Sequence, residues 1–134
     1  MAYYKNRKVP ENVWIGVTVE SRRYVPRIDL LKKINAKIRW VSLEPLLEDI
    51  GQVDLRGIQW AAVGGETEPN GKYRVFKEEW AWNIKKICER DGVKFWFTGG
   101  NGISDGNRLG GSLLYGKAYF GYPSFDRFRQ PTFA

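Results

Sequence analysis

The 134-residue chain has no histidine, one cysteine (Cys88) and one methionine. Without histidine there is no Ser/His or Cys/His nucleophile scheme, and most zinc chemistry goes with it. A single cysteine rules out an internal disulfide framework, and one thiolate cannot hold an iron–sulfur cluster alone. No apolar run approaches the ~18 residues that cross a bilayer, and the first eight residues contain no apolar signal core. These absences lead us to expect a reduced, cytoplasmic setting without membrane contact. Few glutamines, together with the scarce cysteine and methionine, hint at a thermophilic source.

What is present is a globular composition, 43% hydrophobic and 28% charged, with a net charge of +7. The excess is uneven. Residues 1–39 hold ten Lys/Arg against three Asp/Glu, residues 40–98 eight against ten, and residues 99–134 four against two. A basic first third suggests a polyanion partner, against the plainer reading of a solvated surface with a basic arm over residues 1–11. The candidate nucleic-acid contacts are Lys5, Arg7, Lys8, Arg22, Arg23, Arg127 and Arg129.

The pattern alternates strand and helix. Val13–Val19, Ile38–Leu43, Ile58–Val63 and Val93–Thr98 read as strands rich in β-branched and aromatic residues. Pro26–Asn35 reads as a helix with proline in its first turn, and Phe76–Asp91 as a longer one stopped by Gly92. Leu46–Arg56 predicts a turn or one short helix. Helix-length connections imply an α/β fold: a four-stranded, mostly parallel sheet over residues 12–98 with crossover helices. Residues 99–134 hold eight of the fifteen glycines, and seven aromatics fall in 115–133. We read them as a loop and an arm that packs on the body or on another chain. Rings among Lys117, Arg127 and Arg129 can also stack bases.

Glu20, Glu44 and Glu66 each follow a predicted strand. In a parallel sheet they share the carboxyl edge, where ligands of α/β folds bind. Three such carboxylates suit a hard divalent cation, or their repulsion raises one pKa and makes a general acid or base. The alternative is that each caps a helix or pairs with Arg or Lys; no dedicated metal-ligand set stands out. Gly64 and Gly65, before Glu66, let a ligand approach the backbone. The stretch Thr98–Gly106 looks like a phosphate-cradling loop but matches no phosphate fingerprint. Cys88 lies on the apolar stripe of its helix and reads as core.

Four stretches together resemble a known family: Asn12–Glu20 (NVWIGVTVE), Arg39–Leu47 (RWVSLEPLL), Trp60–Glu66 (WAAVGGE) and Val93–Phe97 (VKFWF). Arg27, Leu30 and Leu31 match as well, and Gly111–Gly116 up to Pro123 resembles the closing segment. The family is phage- and prophage-associated and consists of radical-SAM-like barrel proteins about twice this length. The resemblance covers roughly residues 12–123 and implies the C-terminal half of a TIM-like barrel, without the half whose three closely spaced cysteines bind a cluster. It therefore implies no cofactor on this chain alone. S-adenosylmethionine would require a partner subunit, with Gly64, Gly65 and Glu66 as its contacts. Two readings follow: a virus- or mobile-element-encoded binding protein that contacts nucleic acid or protein, or one subunit of a split radical S-adenosylmethionine enzyme whose cluster-binding half is a separate chain. A half-barrel exposes two sheet edges and an apolar inner face, so we expect a homo-oligomer, a separate partner half or the C-terminal arm to cover them.

Overall fold

The computed structural model describes residues 7–68, 72–101 and 113–124, and the backbone of Thr132–Phe133. The chain builds β1 (Val13–Thr18), α1 (Pro26–Lys32), β2 (Ile38–Leu43), β3 (Trp60–Gly64), α2 (Glu78–Asp91) and β4 (Lys94–Gly99). Two very short strands, β5 (Leu113–Leu114) and β6 (Lys117–Ala118), pair antiparallel, and β7 (Thr132–Phe133) follows. Pro26 opens α1, where its missing N–H has no partner to lose. Gly92 ends α2 at φ 73°, a left-handed cap that glycine adopts without steric cost.

The main sheet has the order β4-β3-β2-β1-β7, and every pair in it is parallel. Neighbours in space are neighbours in sequence from β1 to β4, so each crossover steps in the same direction. Both helices pack on one face. There Ile15, Val41, Leu43, Val63, Phe95 and Phe97 join Ile28 and Leu31 of α1 and Ala81, Ile84 and Ile87 of α2 in a single buried cluster. Val9 belongs to that core too, and its N–H donates to the Asn35 carbonyl. The expected basic arm therefore joins the body before residue 11.

The β2–β3 connection forms no helix. Its anchors Leu46, Ile50, Val53, Leu55 and Ile58 are all buried. Side chains of α2 satisfy its backbone instead: Asp91 accepts from the Leu55 N–H at 2.8 Å, Asn83 donates to Gly51 O and Arg90 to Val53 O. A loop without ladder bonds must find such partners to be buried.

The second face carries residues of the other parity: Trp14, Gly16, Trp40, Trp60, Ala62 and Trp96. The tryptophans contact one another across the sheet, Trp40–Trp60 at 5.1 Å and Trp14–Trp60 at 5.8 Å between ring centroids. Gly16 makes room for this layer. A Cβ there would lie 2.4 Å from the Trp40 indole nitrogen.

The edges of the four-stranded sheet do not stay open. Tyr119–Gly121 runs antiparallel to β4, with Phe97 N–H donating to Tyr119 O and Gly121 N–H to Phe95 O, both at 2.9 Å. On the opposite side, β7 pairs with β1. Gly121 O also accepts the Trp60 indole N–H at 2.9 Å, and Phe120 and Tyr122 pack on Trp96. The C-terminal residues thus reach both edges and part of the tryptophan face.

Candidate functional site

Parallel strands end at one edge, and the residues that follow them meet there. Glu20, Glu44, Glu66, Glu68 and Arg74, with Pro45, Gly65 and Thr67, line a cleft of about 310 Å³. Two backbone bonds hold its floor: Leu46 N–H donates to Gly64 O at 2.8 Å, and Leu47 N–H to Glu20 O at 3.0 Å. The three glutamates expected at the carboxyl edge do share one cleft.

Their electrostatics differ from the expectation. Glu66 is engaged by Arg74 three times: Oε1 accepts from Nη2 at 2.6 Å, and Oε2 from the backbone N–H at 2.7 Å and from Nε at 3.1 Å. These donors stabilise the charged form and hold the Glu66 carboxyl down at about 2. A carboxyl raised by its neighbours is therefore not what Glu66 supplies, because a fork of donors outweighs the repulsion. Among the described residues no group of three His, Cys, Asp or Glu side chains could hold a metal ion. The cleft is an anionic wall with one guanidinium at its lip.

Asn101, 6% exposed, holds that lip in place. Its Nδ2 donates to Glu66 O at 3.1 Å and to Arg74 O at 3.0 Å, while its Oδ1 accepts from Phe76 N–H at 2.8 Å. One amide thus ties the segment before α2 to the end of β3. Sequence reasoning missed both Asn101 and Arg74. The signal for Asn101 was its place directly after the glycines that end β4; Arg74 carried none, eight residues beyond Glu66 across a loop. Residues 102–106 of the glycine-rich stretch lie outside the described residues.

Gly64 and Gly65 have a packing reason beside any ligand role. A Cβ on Gly64 would meet Thr98 Oγ1 at 1.9 Å and Glu44 Oε1 at 3.1 Å; one on Gly65 would meet the Phe76 Cβ at 2.9 Å. Gly65 nonetheless lines the cleft.

The proposed nucleic-acid contacts separate. Arg7 and Lys8, both exposed, precede β1 at the amino end of the sheet. Arg22 and Arg23 sit in a 3-10 turn past its carboxyl end, one strand length of roughly 20 Å away. Arg22 binds the β2–β3 loop, its N–H donating to Glu48 and its Nε to Asp49 O. Arg23 lies 5.6 Å from the Tyr24 ring centroid, and Arg27 lies 4.2 Å from the same ring. Lys5, Arg127 and Arg129 lie outside the described residues. Cys88 is buried in α2, and desolvation pushes its thiol up to about 12, so it is core. No helix among the described residues is long and apolar enough to cross a membrane.

Searches of curated proteins and of solved structures found no match to this chain. Residues 1–123 match the family described as "Protein of unknown function (DUF5131)", and with nearly the whole chain covered, the protein belongs to that family.

Proposed function

We propose that the chain is a binding protein whose carboxyl-edge cleft takes a small ligand with an amino-acid-like head group. The observation that supports it is the cleft's charge pattern: four glutamates along one wall and Arg74 at the lip. A ligand ammonium fits the carboxylates, and a ligand carboxylate fits the outward side of the largely exposed guanidinium. The sequential strand order agrees with a half-barrel, whose mouth this edge would be. S-adenosylmethionine is the specific ligand that the resemblance suggests, and a separate partner chain bearing the cluster ligands is the accompanying proposal. A cluster does not fit this chain itself, since its single cysteine is buried in α2.

Saturation-transfer NMR of the full chain with S-adenosylmethionine, and with methionine alone, tests the reading. Transfer to the methionine moiety that is lost in Glu44→Gln and weakened in Arg74→Gln is the expected result. No transfer from either compound at millimolar concentration, or transfer unchanged in both variants, would refute it.

A further inference from the structure

The fold sorts charge by the ends of its strands. The segments at the amino end of the sheet are residues 7–12, 32–39, 54–59 and 90–94, and they carry nine Lys/Arg against three acids. Those at the carboxyl end are residues 19–29, 44–49, 65–68 and 72–79, and they carry six against nine. The basic excess of the first third thus becomes a property of one end of the molecule.

Part of that end is internally neutralised. Arg56 pairs with Asp54, Arg90 with Asp91, and Lys32 reaches Asp54. Lys8, Lys33, Lys37 and Lys94 are exposed and make no ion pair among the described residues. They are neighbours. Val9 N–H bonds to Asn35 O, which sets Lys8 beside the turn that carries Lys33 and Lys37. Lys94 opens β4, two strands from β2, about 14 Å from Lys37 along and across the sheet.

Aromatic rings adjoin these lysines. Phe120 is bridged to Trp96, and the antiparallel register sets Tyr122 opposite Lys94. Both rings pack on Trp96, at 5.1 and 6.3 Å, yet they stay 52% and 51% exposed. Half-exposed rings braced from below beside unpaired cations are what a single-stranded nucleic acid requires: stacking platforms next to phosphate contacts. An acidic peptide or a membrane would use the lysines and leave the rings idle.

We propose that the amino end of the sheet is a docking surface for single-stranded nucleic acid. Phosphates lie along Lys8, Lys33, Lys37 and Lys94, and bases stack on Phe120 and Tyr122. The surface lies at the opposite end of the strands from the carboxylate cleft and does not depend on it.

Fluorescence anisotropy of the full chain with a labelled strand of about 20 nucleotides, over a salt series, tests this. Four phosphate contacts on a single strand make affinity fall about 50-fold between 50 and 200 mM salt. The triple variant Lys33→Gln/Lys37→Gln/Lys94→Gln lowers the log–log salt slope by about two. Arg23→Gln/Lys72→Gln/Lys77→Gln removes the same charge at the other end and changes the slope by less than about one. Phe120→Ala/Tyr122→Ala weakens single strands by about fivefold or more and leaves duplex binding unchanged. Circular dichroism checks each fold, and Lys37→Gln alone replaces a triple variant that fails to fold. Absence of binding at 50 mM salt overturns the proposal. So do equal losses in the two triple variants, an unchanged affinity without the rings, and preference for phosphatidylserine vesicles over the oligonucleotide.

Discussion

Replacing Asn101 by alanine removes a buried amide that, beside the Glu66–Arg74 pair, joins the end of β3 to the segment carrying Arg74 and Phe76. Three hydrogen bonds are lost, and the change leaves Glu66 O, Arg74 O and Phe76 N–H short of a partner in a site that is 6% exposed. A net hydrogen bond contributes roughly 0.5–1.5 kcal/mol, and buried groups left without a partner sit at the upper end of that range. The loss is therefore about 2–4 kcal/mol, a drop in Tm on the order of 10 °C for a domain of this size. Urea unfolding followed by tryptophan fluorescence measures it as a fall in midpoint at unchanged slope. Asn101→Asp should be no better, since a carboxylate would face two carbonyl oxygens without the donors that the amide supplies. The same variants should loosen the Glu66–Arg74 pair, because the Arg74 carbonyl loses its donor. A loss below about 0.5 kcal/mol in Asn101→Ala, as expected for a surface site, would refute the clamp.

Gly16→Ala forces a methyl into the Trp40 indole, 2.5 Å from Cε2, and should destabilise by about 1–3 kcal/mol with altered near-ultraviolet dichroism; an unchanged spectrum would mean that the tryptophan layer is looser than described. Glu66 and Asp91 are both held at about 2 by arginine donors, below their usual 4.5 and 3.8. Their folded values are depressed, so their contribution is full above the usual values and is lost as pH falls toward 2; a pH series of urea midpoints should flatten in that window for Glu66→Gln and Asp91→Asn. Cys88, buried and pushed up to about 12, should react with a thiol reagent only as fast as the chain opens, and labelling rates should track unfolding under denaturant. Deleting residues 119–134 uncovers the outer edges of β4 and β1, and light scattering should show association that the full chain lacks.

The central fold was readable because its strands are apolar runs bounded by Gly, Pro and Glu, a pattern that depends only on neighbours in sequence. Ile38–Leu43 matches β2 to the residue, and Pro26 and Gly92 fix helix ends by local chemistry. The cleft was half readable. Glu20, Glu44 and Glu66 come together because parallel strands must end at one edge, a consequence of topology alone. Arg74 was not readable, because it lies eight residues from Glu66 across a loop and nothing local marks it; Asn101 had only its place after the glycines that end β4, while its partners lie up to 35 residues away. The tryptophan layer carried a signal that went unused: Trp14, Trp40, Trp60 and Trp96 share one parity across four strands. Seeing it requires the register between strands, which the alternation within a single strand does not supply.

The C-terminal residues explain how a sheet of this order can stand without a fifth and sixth crossover. Strands that step always in one direction leave β1 and β4 as outer strands, three spacings apart, or roughly 14 Å. Gly121 is bonded at the β4 side and Thr132 is paired at the β1 side. One segment therefore protects both edges. Phe120 and Tyr122, packed on Trp96 beside the β4 edge, nonetheless stay half-exposed. Burying those two rings would have been the simpler answer to edge protection alone. Their exposure beside Lys94 is the feature that closure does not require, and so it is the feature on which the proposed nucleic-acid docking rests.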